Sequence, residues 1–191
     1  MAKKILKAST GLYPCPVVLV SVGSPKGKAN FMTVAWCGII CSEPPQLSVS
    51  IRPKRLTHAM IKEIKDFTIN IPKASMVKEV DLAGVISGKD VDKFEKLHFT
   101  NLPASKIRSP LIKECPINIE CRLIDVKALG THDMFIGEVV AVQVDEELLD
   151  KEQNIDYKKA QPLVYVQGEY WSLFEKIGHY GFSNEAQTYG T

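Results

Sequence analysis

The 191-residue chain is 45% hydrophobic and 24% charged, which is typical of a globular protein with a packed core and argues against a disordered chain. Its 24 basic and 22 acidic residues nearly balance, which argues against nucleic acid as a partner but leaves room for a local anion site. Five cysteines without a Cys-x-x-Cys pair and four scattered histidines predict neither a disulfide framework nor a metal site.

Nothing in the chain reads as a membrane span or a targeting segment. The strongest apolar run, residues 16–22, is far shorter than a membrane span, and the N-terminal stretch is too short and broken for a secretory signal. We therefore expect a cytoplasmic protein without a membrane partner. No repeat or linker divides the sequence, so we expect one domain over residues 1–191, with 176–191 as a candidate C-terminal arm.

Strand patterns dominate the first third of the chain. Residues 17–23 are β-branched and end in a Gly-Ser-Pro-Lys-Gly turn. Residues 31–42 form a long apolar stretch, and its near-continuous part, 31–40, is consistent with a strand buried on both faces. Residues 46–52 alternate cleanly between apolar and polar positions, as a half-buried strand does.

Helical spacing appears in the middle of the chain. Apolar residues four apart predict a helix that begins near Thr57, followed by a strand over 67–72. A second helix is predicted over 75–85 and a short helical turn over 91–97.

The second half of the sequence returns to strands. Residues 117–129 change their apolar phase near Leu123, which predicts a bulge, and residues 132–145 are expected to pair with them in antiparallel fashion. Residues 163–174 complete the strand set. Two groups of strands with helices between them favour an antiparallel barrel with helical insertions over alternating βαβ units.

One region concentrates side chains that suit an anion. Ser48, Ser50 and Arg52 share a strand face, and Thr57 and His58 open the following helix. Hydroxyls, a guanidinium and the N–H groups of a helix start together make a phosphate cradle. The alternative is an ordinary solvated strand face followed by a helix with a threonine cap.

Six short motifs in order resemble the flavin reductase-like family of FMN-binding split β-barrels, which includes the flavoredoxins. They are Asn30-x-Met32-Thr33-x-x-Trp36; Pro44-Pro45; Ser50-x-Arg52 with Thr57-His58; Asn70-Ile71-Pro72; Ser87-Gly88 with Asp92-Lys93-Phe94; and His132 with 135–139. The similarity covers about residues 10–175. It implies a mainly β fold with helical insertions, an antiparallel Greek-key split β-barrel, and a homodimer.

The resemblance also implies where FMN, rather than FAD, is held. The ring and ribityl chain are expected along one strand segment, and the ribityl-phosphate end against a second strand and a helix start. Lys93 is expected to bring positive charge near the flavin, and His132 is the expected catalytic residue. The implied cofactor-binding residues are Asn30, Thr33, Val34, Ala35, Trp36, Ser50, Ile51, Arg52, Thr57, His58, Ser87, Lys93, Phe94 and Tyr165.

Each of these residues has an ordinary structural alternative. Trp36 suits a core position, His132 a structural turn histidine, and Lys93 a solvated helix face. Cys37 and Cys41 bracket the expected cofactor segment, and a redox role for them is the alternative to the usual buried, inert free cysteine. Family members that reduce flavin for a partner monooxygenase often carry Gly-Asp-His before the late strand, whereas this chain has Gly130-Thr131-His132.

Three functions therefore remain open at the level of sequence. The first is a flavin reductase that takes hydride from NAD(P)H. The sequence has no Gly-x-Gly-x-x-Gly fingerprint of a dinucleotide-binding domain, so NAD(P)H would bind only transiently. The second is a flavoredoxin-type carrier that keeps FMN bound and exchanges electrons with a redox protein partner. The third is a binding module of the same fold without redox turnover.

Overall fold

A computed structural model describes residues 1–24, 27–173 and 175–185. The strands are β1 (Cys15–Pro16), β2 (Val18–Gly23), β3 (Ala29–Val34), β4 (Cys37–Ser42), β5 (Pro45–Ile51), β6 (Asp66–Ile71), β7 (Asn101–Leu102), β8 (Leu111–Ile112), β9 (Ile117–Ala128), β10 (Asp133–Val144), β11 (Leu163–Val166) and β12 (Glu169–Ser172). The helices are α1 (Leu56–Ile64), α2 (Val77–Val85), α3 (Lys93–Lys96), α4 (Tyr157–Ala160) and α5 (Phe182–Glu185). The candidate arm lies outside the described residues from 186 onward.

Seven antiparallel strands form the main sheet, in the order β3-β2-β6-β9-β10-β5-β4. Its two edges, β3 and β4, are consecutive in the chain and are joined only by Ala35 and Trp36. Because the three steps from Val34 to Cys37 span at most about 10 Å, the two edges must approach each other. The sheet therefore curls into a barrel that stays open between β3 and β4, and we call this opening the seam.

The barrel interior and the helical insertions bury separate apolar clusters. Inside the barrel, fully buried side chains such as Phe67 and Phe135 pack with β-branched residues from β2 and β5. A second cluster fills the space between the outer side of β2–β3 and the insertion, with Phe31 stacked edge-on against Phe94 at 4.8 Å between ring centroids. Side chains that alternate along β2 and β3 thus serve both layers, which explains why these strands are buried on both faces.

The predicted bulge is present in β9. Asp125 pairs with Ile136 and Leu123 pairs with Gly137, so Ile124 is the extra residue on its strand. A second register shift lies on β10 between Val139 and Ala141. Bulges bend strands and increase their twist, which is what the curling of the sheet requires.

Three elements differ from the sequence prediction. The apolar stretch 31–42 is two strands, and the second, β4, is an edge strand that pairs only with β5 among the described strands. Ile39 in β4 is 80% exposed, because no described element covers its side chain. Residues 163–174 contain a hairpin, not one strand, since Gln167 and Gly168 adopt positive φ and turn the chain. The hairpin β11–β12 joins β1 in a separate three-stranded sheet, and α2 begins at Val77 after a 3₁₀ turn over Ala74–Met76.

Two buried carboxylates fix the segment that precedes β8. Asp66 accepts hydrogen bonds from the backbone N–H groups of Arg108 and Ser109, and Glu120 accepts from the N–H groups of Ser105 and Lys106. Burial alone would raise the pKa of Glu120, but hydrogen bonds from Ser105, Gln143 and Lys106 outweigh it and lower the pKa. The carboxylate therefore stays ionised and holds residues 105–109 against β6 and β9.

A substitution at Gly137 can test how tightly the barrel interior is packed. A Cβ atom there would lie 2.7 Å from Phe67 Cζ and 2.9 Å from Cys121 Cβ, whereas a Cβ on Gly38 would meet nothing within 4 Å. We expect Gly137→Ala to lower the free energy of unfolding by about 1–3 kcal/mol through overpacking. Urea denaturation measures this, with Gly38→Ala as the matched control. Equal stability of the two variants would contradict the packing.

Candidate functional site

Two clefts share the lining residues Met32, Arg52, Arg55 and Val85 and so form one continuous groove. The first, of about 350 Å³, lies at the seam, and we call it the seam cleft. The second, of about 410 Å³, lies at the start of α1, and we call it the cationic cleft. Both volumes are within the usual range of small-molecule sites, about 300–1,000 Å³.

Part of the seam cleft is formed by the segment that links β3 to β4, where the sheet does not close. Thr33, Val34, Ala35 and Trp36 cross from β3 to β4 along one wall, and the neighbouring strand β5 is held to them by the Ser50 N–H, which donates to the Trp36 carbonyl at 2.8 Å. Since β3 and β4 lie at sheet edges, this wall presents edge backbone to the cleft. A flat polar ligand can pair with such backbone.

Aromatic side chains also line the seam cleft. The Trp36 and Tyr165 rings lie 5.9 Å apart, and Tyr165 lies 6.1 Å from Tyr170, all with steep interplanar angles. The Tyr170 hydroxyl donates to Asp81 on α2 at 3.1 Å, which ties the hairpin to the helical insertion. Burial, together with Asp81, raises the pKa of Tyr170 to about 12, so this hydroxyl keeps its proton at neutral pH.

The cationic cleft collects positive charge and hydroxyls without a carboxylate. Arg52, Lys54, Arg55 and Lys93 line it, and none of its described lining residues is Asp or Glu. Hydroxyl-bearing and other polar residues at the cleft are Thr57, Ser87 and Asn30.

The first turn of α1 opens into this cleft. Its N-cap residue, Arg55, is extended and makes no side-chain capping hydrogen bond. The first N–H groups of a helix lack intrahelical partners and carry the positive end of the helix dipole. Arg55 is itself fixed, because its Nη2 donates to the Gly84 carbonyl at 2.6 Å.

Lys93 is a buried cation in the same cleft. Only 3% of the residue is exposed, and its Nζ donates to the Ala83 carbonyl at 2.6 Å. Burial and then the charge of Arg55 lower the pKa of Lys93 to about 8. Among the described residues no carboxylate pairs with it, so a bound anion would supply the missing negative charge.

Asn30, Thr57 and Gly88 pack closely against one another in the cationic cleft. The Asn30 amide donates to Thr57 Oγ1 at 2.8 Å, and both residues are buried. A Cβ atom on Gly88 would lie 2.0 Å from Asn30 Oδ1, so only glycine lets this loop approach so closely. The hydroxyl of Thr57 is thereby held in one orientation at the start of α1.

His132 lies at the edge of the seam cleft against Arg52. The Arg52 Nε–H donates to His132 Nε2 at 3.4 Å, which leaves the ring proton on Nδ1, 2.9 Å from Thr131 Oγ1. Partial burial and then the charge of Arg52 lower the pKa of His132. The imidazole is therefore neutral at neutral pH.

Most of the residues that the sequence suggested line this groove. His58 and Phe94 do not: His58 Nε2 lies 2.8 Å from Asp133 Oδ2 and its ring stands edge-on to Phe135, while Phe94 packs in the core against Phe31. The thirteen that line it are Asn30, Thr33, Val34, Ala35, Trp36, Ser50, Ile51, Arg52, Thr57, Ser87, Lys93, His132 and Tyr165.

Other lining residues were missed. The basic pair Lys54 and Arg55 follows the Arg52 motif in the sequence next to the candidate phosphate cradle, but neither residue was among the expected cofactor-binding residues. Asp81, Gly84 and Tyr170 have no local sequence signal, since only the packing of α2 and the hairpin brings them to the groove.

Neither a metal cluster nor a spanning helix is found in the described ranges. Over residues 1–24, 27–173 and 175–185, no three His, Cys, Asp or Glu side chains are placed to hold a metal ion. Each helix in those ranges falls short of the length and apolar character needed to cross a membrane.

Comparison with known proteins identifies the class. A family model described as "Flavin reductase like domain" matches residues 10–173, so the chain belongs to this family. An uncharacterized protein of Archaeoglobus fulgidus is 34% identical over 158 residues, 83% of this chain and 88% of the relative.

Solved structures agree with the family and the fold. The chain is similar to a flavoredoxin of Desulfovibrio vulgaris (Miyazaki F), with a TM-score of 0.89, 36% identity and coverage of 96% of this chain and 100% of that one. An FMN-binding protein from Thermus thermophilus gives a TM-score of 0.78 at 27% identity, with 94% and 97% of the two chains covered. The mainly β, antiparallel split-barrel fold predicted from the sequence is confirmed, and the barrel is not closed.

The contact between Arg52 and His132 can be tested by titration. If the guanidinium disfavours the protonated ring, Arg52→Ala should raise the pKa of His132 toward its ordinary value. An NMR titration of the histidine Cε1–H signals measures this in the ligand-free protein. Lys54→Ala removes a neighbouring charge that does not contact the ring and should leave the pKa nearly unchanged. An unaltered pKa in Arg52→Ala would contradict the contact.

Proposed function

We propose that this protein is an FMN-dependent oxidoreductase that holds FMN along the groove, with the phosphate in the cationic cleft and the ring in the seam cleft. The main support is that the two clefts are continuous. The cationic cleft has a buried lysine and no carboxylate, and the adjoining seam cleft is lined by edge backbone and aromatic rings. A cationic cleft next to an aromatic cleft suits a ligand that has an anionic group at one end and a flat, partly polar ring at the other. Flavoredoxins and an FMN-binding protein among the structural neighbours support the same ligand.

The phosphate end accounts for the chemistry of the cationic cleft. Thr57 Oγ1, Ser87 and the first N–H groups of α1 would donate hydrogen bonds, while Arg52 and Arg55 would provide charge. A dianionic phosphate would also stabilise the charged form of Lys93 and raise its depressed pKa. A terminal phosphate monoester uses this cradle fully, which is why we propose FMN rather than FAD.

The seam cleft would bind the ring through backbone and apolar atoms. Backbone from Thr33 to Trp36 would pair with the polar edge of the ring, and Trp36 and Tyr165 would shield its surface from water. When bound, FMN would supply hydride acceptance and one-electron transfer, which protein side chains cannot provide. Neutral His132, fixed by Arg52 and Thr131, would orient a second ligand at the edge of the cleft.

We further propose NAD(P)H as the transient electron donor and His132 as the residue that orients it, because the seam cleft opens beside His132. The residue before this histidine is Thr131. Family members that reduce flavin for a partner monooxygenase often have an aspartate at this position. The second candidate is a flavoredoxin-type electron carrier with a redox protein partner. It is favoured by the similarity to two flavoredoxins, at 36% and 32% identity over 96% and 97% of this chain.

A homodimer in the cytoplasm is part of the same proposal. Ile39 and Ile40 on the edge strand β4 are 80% and 45% exposed, and a second subunit would cover them. Light scattering of the purified protein tests it, since a mass of about 21 kDa, that of one chain, would contradict a dimer.

The phosphate assignment predicts which variants release flavin. Arg52→Ala and Thr57→Ala should each weaken FMN binding about tenfold or more, since a hydrogen bond to a charged group contributes about 1.5–3 kcal/mol. Fluorescence titration of the apoprotein with FMN measures the dissociation constant.

Two further variants serve as controls in this titration. Thr57→Ser keeps the hydroxyl and should restore most of the affinity, and Arg122→Ala removes an exposed guanidinium away from the groove and should bind FMN as the wild type does. Unchanged FMN affinity in both Arg52→Ala and Thr57→Ala would refute the placement of the phosphate.

The electron donor is tested by anaerobic absorbance spectra of the FMN-loaded protein. As a flavin reductase, the protein should lose its flavin bands within seconds to minutes when NADH or NADPH is added. Bands that persist with both nucleotides but bleach with dithionite would contradict the reductase and favour the carrier. His132→Ala should slow bleaching by NAD(P)H without altering bleaching by dithionite.

A further inference from the structure

A separate cavity lies at the opposite end of α1. Its volume is about 620 Å³, and its charged lining includes Lys65, Lys106, Arg108 and Arg122, which we call the basic pocket. The proposed FMN phosphate lies at the first turn of α1, and the basic pocket lies at its last turn, about 13 Å away for a nine-residue helix. None of the residues lining the basic pocket lines the groove.

The charge of the basic pocket is largely unbalanced. Within the described residues, the side chains of Lys65, Lys106 and Arg122 make no ion pair or hydrogen bond, although all three residues line the same cavity. The one carboxylate in the lining, Asp66, is already engaged by the Ser109 hydroxyl and the backbone of residues 108–109. Because the whole chain carries a net charge of only +2, this pocket concentrates positive charge locally.

The fourth cation is held in place. Arg108 Nη2 donates to the Ile64 carbonyl at 2.5 Å, at the last turn of α1, and its Nε lies 3.7 Å from Asp66 Oδ2. One edge of its guanidinium is thus hydrogen-bonded to the protein, while the side chain remains 71% exposed at the pocket.

The backbone that carries Lys106 and Arg108 is also rigidly held. Glu120 binds the N–H groups of residues 105 and 106 at 2.9 and 2.7 Å, and Asp66 binds that of Ser109 at 3.0 Å. On the facing side, the Leu123 N–H donates to the Lys65 carbonyl at 2.9 Å, which joins the end of α1 to β9. The backbone positions of the cations are therefore fixed, and their exposed side chains line one pocket.

We propose that the basic pocket is a second ligand site that binds a compact polyanion of the diphosphate class. Three unpaired cations and one anchored arginine match the several charges of a diphosphate, and arginine binds phosphate oxygens in bidentate fashion. Ile64, Ile107 and Leu123 in the same lining provide apolar contact for an organic group attached to it. The site is independent of whether the groove binds FMN.

Amide NMR shifts of the ¹⁵N-labelled, FMN-treated protein locate the binding of inorganic pyrophosphate at fixed ionic strength. Shifts should saturate and cluster at residues 62–66, 105–109 and 122–123, with little change at 54–58. The double variant Lys65→Gln/Arg122→Gln should weaken binding at least tenfold. Lys113→Gln/Lys158→Gln removes the same charge from exposed positions elsewhere and should bind within about twofold of the wild type.

Four outcomes would overturn the proposal. One is absence of saturable shifts at millimolar pyrophosphate, and another is an equal loss of affinity in both double variants, which would indicate only net charge. A third is clustering of the shifts at 54–58, which would place the anion in the groove. Finally, equal binding of citrate would contradict the diphosphate class, because a tricarboxylate then satisfies the pocket as well.

Discussion

The two-residue link between β3 and β4 is the constraint on which the rest of the structure depends. It joins the two edges of a seven-stranded sheet, so the sheet must curl, and Ala35 and Trp36 must cross the gap where no ladder forms. β3 and β4 each pair on one side only, so their open edges face this gap. The seam cleft is thus a direct result of incomplete closure, and bulges in β9 and β10 provide the bending that brings the edges together.

Charge explains the other half of the groove. A lysine that is 97% buried without a carboxylate partner among the described residues is costly unless an anion completes its environment. The depressed pKa of Lys93 records that cost. The charge of Arg55 helps to lower this pKa. Arg55 is also the N-cap residue of α1, so one segment provides a cation and free helix N–H groups. The locked Asn30–Thr57–Gly88 contact then fixes the hydroxyl beside them.

The sequence was most informative where the proposed site depends on short contiguous segments. Residues 33–36, 50–52 and 57 line the groove as expected, because strand alternation and a helix start place them together locally. His58 and Phe94 do not line the groove, since adjacency to a lining residue says nothing about which way a side chain points. His58 contacts Asp133, and Phe94 packs in the core.

Long-range packing set the limits of prediction. The apolar run 31–42 looked like one strand because hydrophobicity alone cannot show a break in pairing. Asp81 and Tyr170 are 89 positions apart, and only the docking of the hairpin against α2 joins them. The basic pocket likewise assembles from three separate segments, each of which reads as a solvated surface in the sequence.

The most direct test of the central claim compares FMN with riboflavin in binding to the apoprotein by isothermal titration calorimetry. The two ligands share the ring and differ in the phosphate, which is the group that the cationic cleft is proposed to hold. The account predicts one FMN per chain and at least about 100-fold weaker binding of riboflavin, from several charge-assisted hydrogen bonds. Equal affinities, or no uptake of FMN, would contradict it.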